Sequence, residues 1–90
     1  MAQSYLDDRA SQIDQRIDEG LRDGSLTYSE ARTLRSQLRY DQRLQSEYQD
    51  EGMSNWQARD LNRRYDELSN NLYSMRSNTE YRYRRWNGWW

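Results

Sequence analysis

The sequence predicts an all-α protein, a small three-helix antiparallel bundle running up-down-up, followed by an aromatic and arginine-rich C-terminal tail. Three observations carry this. Apolar residues recur at helical spacing in three separate stretches. Two glycine-containing hinges divide those stretches, and a helix-capping pattern follows each hinge. The 90 residues contain no Pro and only 4 Gly, while 8 Tyr and 4 Trp supply apolar bulk that disordered chains lack. Hydrophobic residues are 33% of the chain and mean hydropathy is −1.49, so long polar faces are expected around a modest core. The reading gives one domain over 1–77, with helices over 4–22, 28–50 and 55–77, and a tail over 78–90.

In the first helix, Leu6, Ala10, Ile13, Ile17 and Leu21 form one amphipathic stripe. Asp7, Asp14 and Asp18 line one side of it, and Asp18 is placed to pair with Arg22 one turn later. The stretch Asp23-Gly24-Ser25-Leu26-Thr27-Tyr28-Ser29-Glu30 then ends one helix and starts the next. Gly24 is expected at positive φ, Thr27 as the cap, Glu30 as its capping-box partner, and Leu26 with Ala31 as a hydrophobic staple.

The second helix opens its stripe with Ala31, Leu34 and Leu38, after which the same line meets Asp41 and Gln45. The expectation is that the apolar line shifts to Tyr40, Leu44 and Tyr48, as in a middle helix touching two neighbours. Arg32, Arg35, Arg39 and Arg43 make a basic stripe, read as a solvated face that pairs with the acidic line of the first helix. The second hinge repeats the grammar of the first. Met53 precedes Ser54 as cap, Gln57 takes the box position and Ala58 the staple position. In the third helix Leu61, Tyr65, Leu68, Leu72 and Met75 form a seam over two heptads. The predicted core is Leu6, Ala10, Ile13, Ile17, Leu21, Leu34, Leu38, Leu61, Tyr65, Leu68, Leu72 and Met75.

The tail changes character. Residues 76–90 carry a net charge of +3 and residues 1–75 a net charge of −4. Tyr81, Tyr83, Trp86, Trp89 and Trp90 are interleaved with Arg82, Arg84 and Arg85. Such a mixture suits a protein groove, or an anionic surface such as a membrane or nucleic acid. The acidic remainder of the chain repels phosphate and argues against nucleic acid. The tail is also read as able to extend the third helix, or to fold back over Tyr40, Leu44 and Tyr48.

Chemistry is bounded by absences. The chain has no Cys, no His and no Lys, and all 14 basic residues are Arg. Thiol, imidazole and lysine chemistry are therefore excluded, as is a Cys/His zinc site. Asp41, intruding on an apolar line, and Glu47 are the nearest acid–base candidates, and no catalysis and no cofactor are expected from them. A degenerate EF-hand-like loop over 19–30 is the alternative metal reading, with Glu19, Asp23, Thr27 and Glu30 as ligands. Leu21 falls where that loop needs an oxygen ligand. The primary expectation is a non-catalytic binding module, working through protein contact or self-association at Tyr40, Leu44, Tyr48, Tyr81, Tyr83, Arg84, Trp86, Trp89 and Trp90. The alternatives are calcium binding at 19–30 and binding of a membrane or nucleic acid through 81–90.

Leu26-Thr27-Tyr28-Ser29-Glu30 and Met53-Ser54-Asn55-Trp56-Gln57 resemble the LTxxQ motif of a family of small periplasmic helical proteins, stress chaperones and metal-responsive regulators. The first copy has Glu in place of Gln, and the second has Met-Ser in place of Leu-Thr. The resemblance implies helical hairpins and a periplasmic or secreted bacterial location. Without histidine, the ligands of the metal-responsive branch do not carry over. The start Met1-Ala2-Gln3-Ser4 is also read as a mature secreted N-terminus behind an initiator Met.

Overall fold

The structure, a computed structural model, describes the backbone of residues 2–87 and the side chains of residues 5–77. It contains α1 (Ala2–Asp23), α2 (Tyr28–Asp50) and α3 (Asn55–Asn87), each packed against the other two.

Both hinges fold as the sequence predicts. Gly24 sits at φ 78°, where a side chain is disfavoured. The Asp23 carboxylate accepts from the Ser25 N–H at 2.9 Å, and the Leu26 N–H donates to the Gly20 carbonyl at 3.0 Å. That return bond lays Leu26 on Gly20, where a Cβ would come within 2.5 Å of Leu26 Cδ1. Thr27 then caps α2 in a complete capping box. Its Oγ1 accepts from the Glu30 N–H at 3.1 Å, and Glu30 Oε1 accepts from the Thr27 N–H at 3.0 Å. At the second hinge Gly52 and Met53 take φ of 89° and 35°. Ser54 and Gln57 exchange the same pair of bonds at 2.9 and 3.4 Å.

The cross-helix bonds fix the up-down-up order. Arg35, early in α2, pairs with Asp14 at 3.8 Å and with Asp18, late in α1. Gln45, late in α2, reaches Asp7, early in α1, and Tyr65, early in α3. Arg9 meets Asp66, while Arg76 meets Asp23 and Ser25, so α1 and α3 run parallel. The anticipated pairing of the acidic line with the arginine stripe is made by Arg35. It takes Asp18 across the helix interface, in place of the expected pairing with Arg22 one turn along.

Ten of the predicted core residues are buried, and Leu26 and Ala31 join them. Leu21 and Met75 are half-buried at the rim, against the expectation of full burial. Each fully buried Leu, Ile or Tyr stabilises the fold by about 1.5–3 kcal/mol, and an exposed ion pair by about 0–1 kcal/mol. Apolar burial therefore drives the packing, and the polar bonds select register.

One boundary and one helix face differ from the main expectation. The third helix runs past 77 to Asn87, the extension that the spacing of the tail also allows, because no Gly or Pro interrupts the chain before Gly88. Ser77, Asn78 and Thr79 are weak helix formers but do not end a helix already anchored by its seam. Arg76 bonds to Ser25 at 2.8 Å in the first hinge, so residues 78–87 carry α3 past that end of the bundle. The second correction concerns α2. Its inward line does not shift to Tyr40, Leu44 and Tyr48. It keeps the heptad spacing through Ala31, Leu34, Leu38, Asp41 and Gln45, all buried.

Candidate functional site

The uninterrupted heptad puts two polar side chains inside the bundle, and the site is built around them. Gln45 is satisfied on both ends. Its Oε1 accepts from the Tyr65 hydroxyl at 2.7 Å, and its Nε2 donates to Asp7 Oδ1 at 2.7 Å. Tyr65 is fully buried, and desolvation pushes its hydroxyl pKa up to about 12. A buried polar group is tolerated when its bonds are made, and here they tie all three helices together.

Asp41 is held differently. It is 6% exposed, and its ion pair with Arg64 is long, at 3.7 Å. Desolvation raises its pKa, and the Arg64 charge offsets this only in part. Arg64 itself is committed elsewhere. Its Nε donates to Asp60 at 2.9 Å and its guanidinium lies over the Tyr40 ring at 5.8 Å. Asp60 is the hub of this side of the molecule. It accepts from Arg64, from Arg63 at 2.8 Å and from the Tyr48 hydroxyl at 3.1 Å, and these bonds hold its carboxyl below the usual range.

The result is an ordered face along the α2–α3 seam. Tyr40 is 57% exposed under Arg64, Leu44 and Tyr48 are half-buried beyond it, and Trp56 is 61% exposed. Tyr48 and Trp56 meet edge to face with centroids 5.8 Å apart. Beside Tyr40 opens a groove of ≈ 340 Å³, lined by Ser36, Gln37, Asp41, Arg64, Glu67, Leu68 and Asn71 among others. A smaller groove of ≈ 190 Å³ lies between α1 and α2 at Asp14, Arg35, Arg39 and Gln42. Arg32, Arg39 and Arg43 are exposed, in keeping with a solvated stripe.

Thus the structure brings Tyr40, Leu44 and Tyr48 onto one flank, as a surface row and not as α2's inward line. It adds Trp56 and Arg64, which are not among the expected site residues. Trp56 precedes Gln57, the buried box partner of Ser54, and lies against Tyr48 on the outer side of α3's first turn. Tyr81, Tyr83, Arg84 and Trp86 fall on the α3 extension, where only the backbone is described. Trp89 and Trp90 lie outside the described residues. Of the two acid–base candidates, Asp41 faces the groove and Glu47 is exposed on a different side of α2.

The calcium-loop residues are placed otherwise than an EF-hand needs. Glu19 and Asp23 remain in the last turns of α1, and Asp23 is bonded to Ser25 and Arg76. Those bonds, the Ser25 hydroxyl first, lower its pKa. Glu30 Oε1 receives the Thr27 N–H. Among the described residues no group of three or more acidic side chains is arranged to hold a metal ion, and no helix is long and apolar enough to cross a membrane. No family model matches the chain, and neither does any curated protein or solved structure.

Proposed function

We propose that the protein is a non-catalytic helical binding module that works by protein contact through its α2–α3 face. The observation that carries this reading is the exposed pair Tyr40 and Trp56, 57% and 61% accessible, at the two ends of a row completed by Leu44 and Tyr48. Large aromatics beside arginine dominate the energetics of protein interfaces. The bonds from Asp60 to Tyr48, Arg63 and Arg64 hold this row in one conformation, which lowers the ordering cost of binding. A sequence without Cys, His or Lys supports a binding role over a chemical one. An extracytoplasmic location forms part of the proposal and rests on the resemblance of the two capping motifs to LTxxQ proteins. Fractionation of cells expressing the full-length gene tests that location.

The face itself is tested with Tyr40→Ala combined with Trp56→Ala. Neither residue belongs to the core, so the helical circular dichroism should be unchanged. Sedimentation velocity and cross-linking should then show that the complexes the wild-type chain makes, with itself or with a protein partner, are about tenfold or more weaker in the double variant. Unchanged complexes in a folded double variant refute the reading.

A further inference from the structure

The groove beside Tyr40 has a polarity that selects a cationic guest. Asp41 lines it, is 6% exposed and, among the described residues, has only the 3.7 Å ion pair to Arg64. Glu67 adds a second carboxylate at the rim, 61% exposed in its side chain and bonded on one oxygen by Arg63. Arg64, the groove's one cation, is turned toward Asp60 and the Tyr40 ring. A guanidinium entering here would meet a buried carboxylate that lacks a close donor, a rim carboxylate and an aromatic edge.

The chain itself carries a segment of matching chemistry. Residues 76–90 have a net charge of +3 against −4 for residues 1–75, and Arg82, Arg84 and Arg85 stand among Tyr81, Tyr83 and Trp86. The lengths agree as well. The groove runs along α3 from Arg64 to Asn71, about 10 Å, and residues 78–87 of the same helix span about 15 Å.

A chain cannot fill its own groove in this way. α3 is continuous from Asn55 to Asn87, so residue 84 lies about 24 Å along the axis from Leu68. A second copy has no such restriction. With a two-fold axis near the level of Arg76, residue 84 of one copy faces Leu68 of the other. Residues 78–87 of each copy then lie over residues 65–74 of its partner. Both grooves are occupied and the assembly closes as a dimer instead of growing into a fibre.

We propose that the α2–α3 groove receives the arginine- and aromatic-rich C-terminal stretch, residues 78–87, of a second copy of the chain, with Asp41 and Glu67 meeting its arginines. This rests on the α2–α3 face being the binding face, and names its partner. The contact is electrostatic in part, so it weakens with salt and can be reversed by charge exchange.

The test uses full-length variants in sedimentation equilibrium: Glu67→Arg, the triple change Arg82→Glu, Arg84→Glu and Arg85→Glu, and their equimolar mixture. The wild type should dimerise, and the dimer should weaken between about 50 and about 500 mM NaCl. Each variant alone should associate about tenfold less, and the mixture should recover a heterodimer, because each reversed surface then meets its complement. A wild type that stays monomeric at hundreds of micromolar overturns the proposal, as does a mixture that recovers nothing. If the arginine triple variant dimerises like the wild type while Tyr40→Ala with Trp56→Ala does not, the face is right and its occupant is wrong. If both dimerise like the wild type, the face itself is wrong.

Discussion

Replacing Asp41 with leucine should stabilise the isolated protein, although it removes an ion pair. The position continues the inward heptad of α2 after Leu38, and it is 6% exposed. A leucine buried there gains about 1.5–3 kcal/mol of apolar burial. The loss is small, since the pair is 3.7 Å long and Arg64 is 30% exposed in its side chain, which keeps its worth below about 1 kcal/mol. Arg64 is not orphaned, because its bond to Asp60 at 2.9 Å remains. The net gain is about 1–2 kcal/mol at neutral pH, and in a domain of this size each kcal/mol raises Tm by about 4–8 °C.

The pH dependence follows from the raised pKa of Asp41. A raised folded-state pKa stabilises fully below the ordinary value of 3.8, and that contribution is lost as pH rises through the folded value. The wild type therefore carries its Asp41 penalty at neutral pH and sheds it on acidification. The leucine variant's advantage should be largest at neutral pH and should shrink as pH falls toward 3.8. Asp23, whose pKa is lowered by Ser25 and Arg76 away from this site, loses its stabilisation alike in both proteins as pH falls, so it cancels in the comparison. Urea unfolding monitored by far-UV circular dichroism across that range measures the difference. A variant less stable than the wild type at neutral pH, or an advantage that grows on acidification, refutes the argument. If the groove serves association, the stabilised variant should associate less, because a destabilising buried carboxylate is kept for its binding role.

Three further outcomes test the frame around the site. Thr27→Ala should destabilise by about 1 kcal/mol through loss of the α2 cap. Its melting temperature should not respond to millimolar calcium; a rise of several degrees in the wild type, abolished by Glu30→Gln, would restore the metal reading. Gly20→Ala should destabilise by about 1–2 kcal/mol in thermal melts despite alanine's better helix propensity, because the new Cβ would lie 2.5 Å from Leu26 Cδ1 in the packed hinge. Tyr65→Phe should cost about 1–2 kcal/mol by stripping the donor from buried Gln45 Oε1. In the wild type, Tyr65's pKa of about 12 gives stability that is full below its unfolded value near 10 and lost as pH climbs toward 12. The phenylalanine variant should lack that alkaline loss in a pH-jump unfolding experiment.

The existence of three helices, both hinges and most of the core can be read from local patterns in the chain. Those features depend on residues close together in the chain: the stripe from Leu6 to Ile17, the seam from Leu61 to Leu72, and the boxes Thr27–Glu30 and Ser54–Gln57, whose bonds span three residues. The tertiary structure decided how the middle helix sits. From the sequence, an inward line that meets Asp41 and Gln45 reads as a line that must turn aside to Tyr40, Leu44 and Tyr48. What keeps it straight comes from other helices: Tyr65 and Asp7 satisfy Gln45, and Arg64 lies near Asp41. Burial of a polar side chain is set by partners 20 and 38 residues away, which no local pattern encodes. The same is true of the site. Tyr40 is visible as an aromatic at helical spacing, but its pairing with Arg64, the Tyr48–Trp56 contact and the groove lined by Asp41 exist only once α3 lies antiparallel on α2.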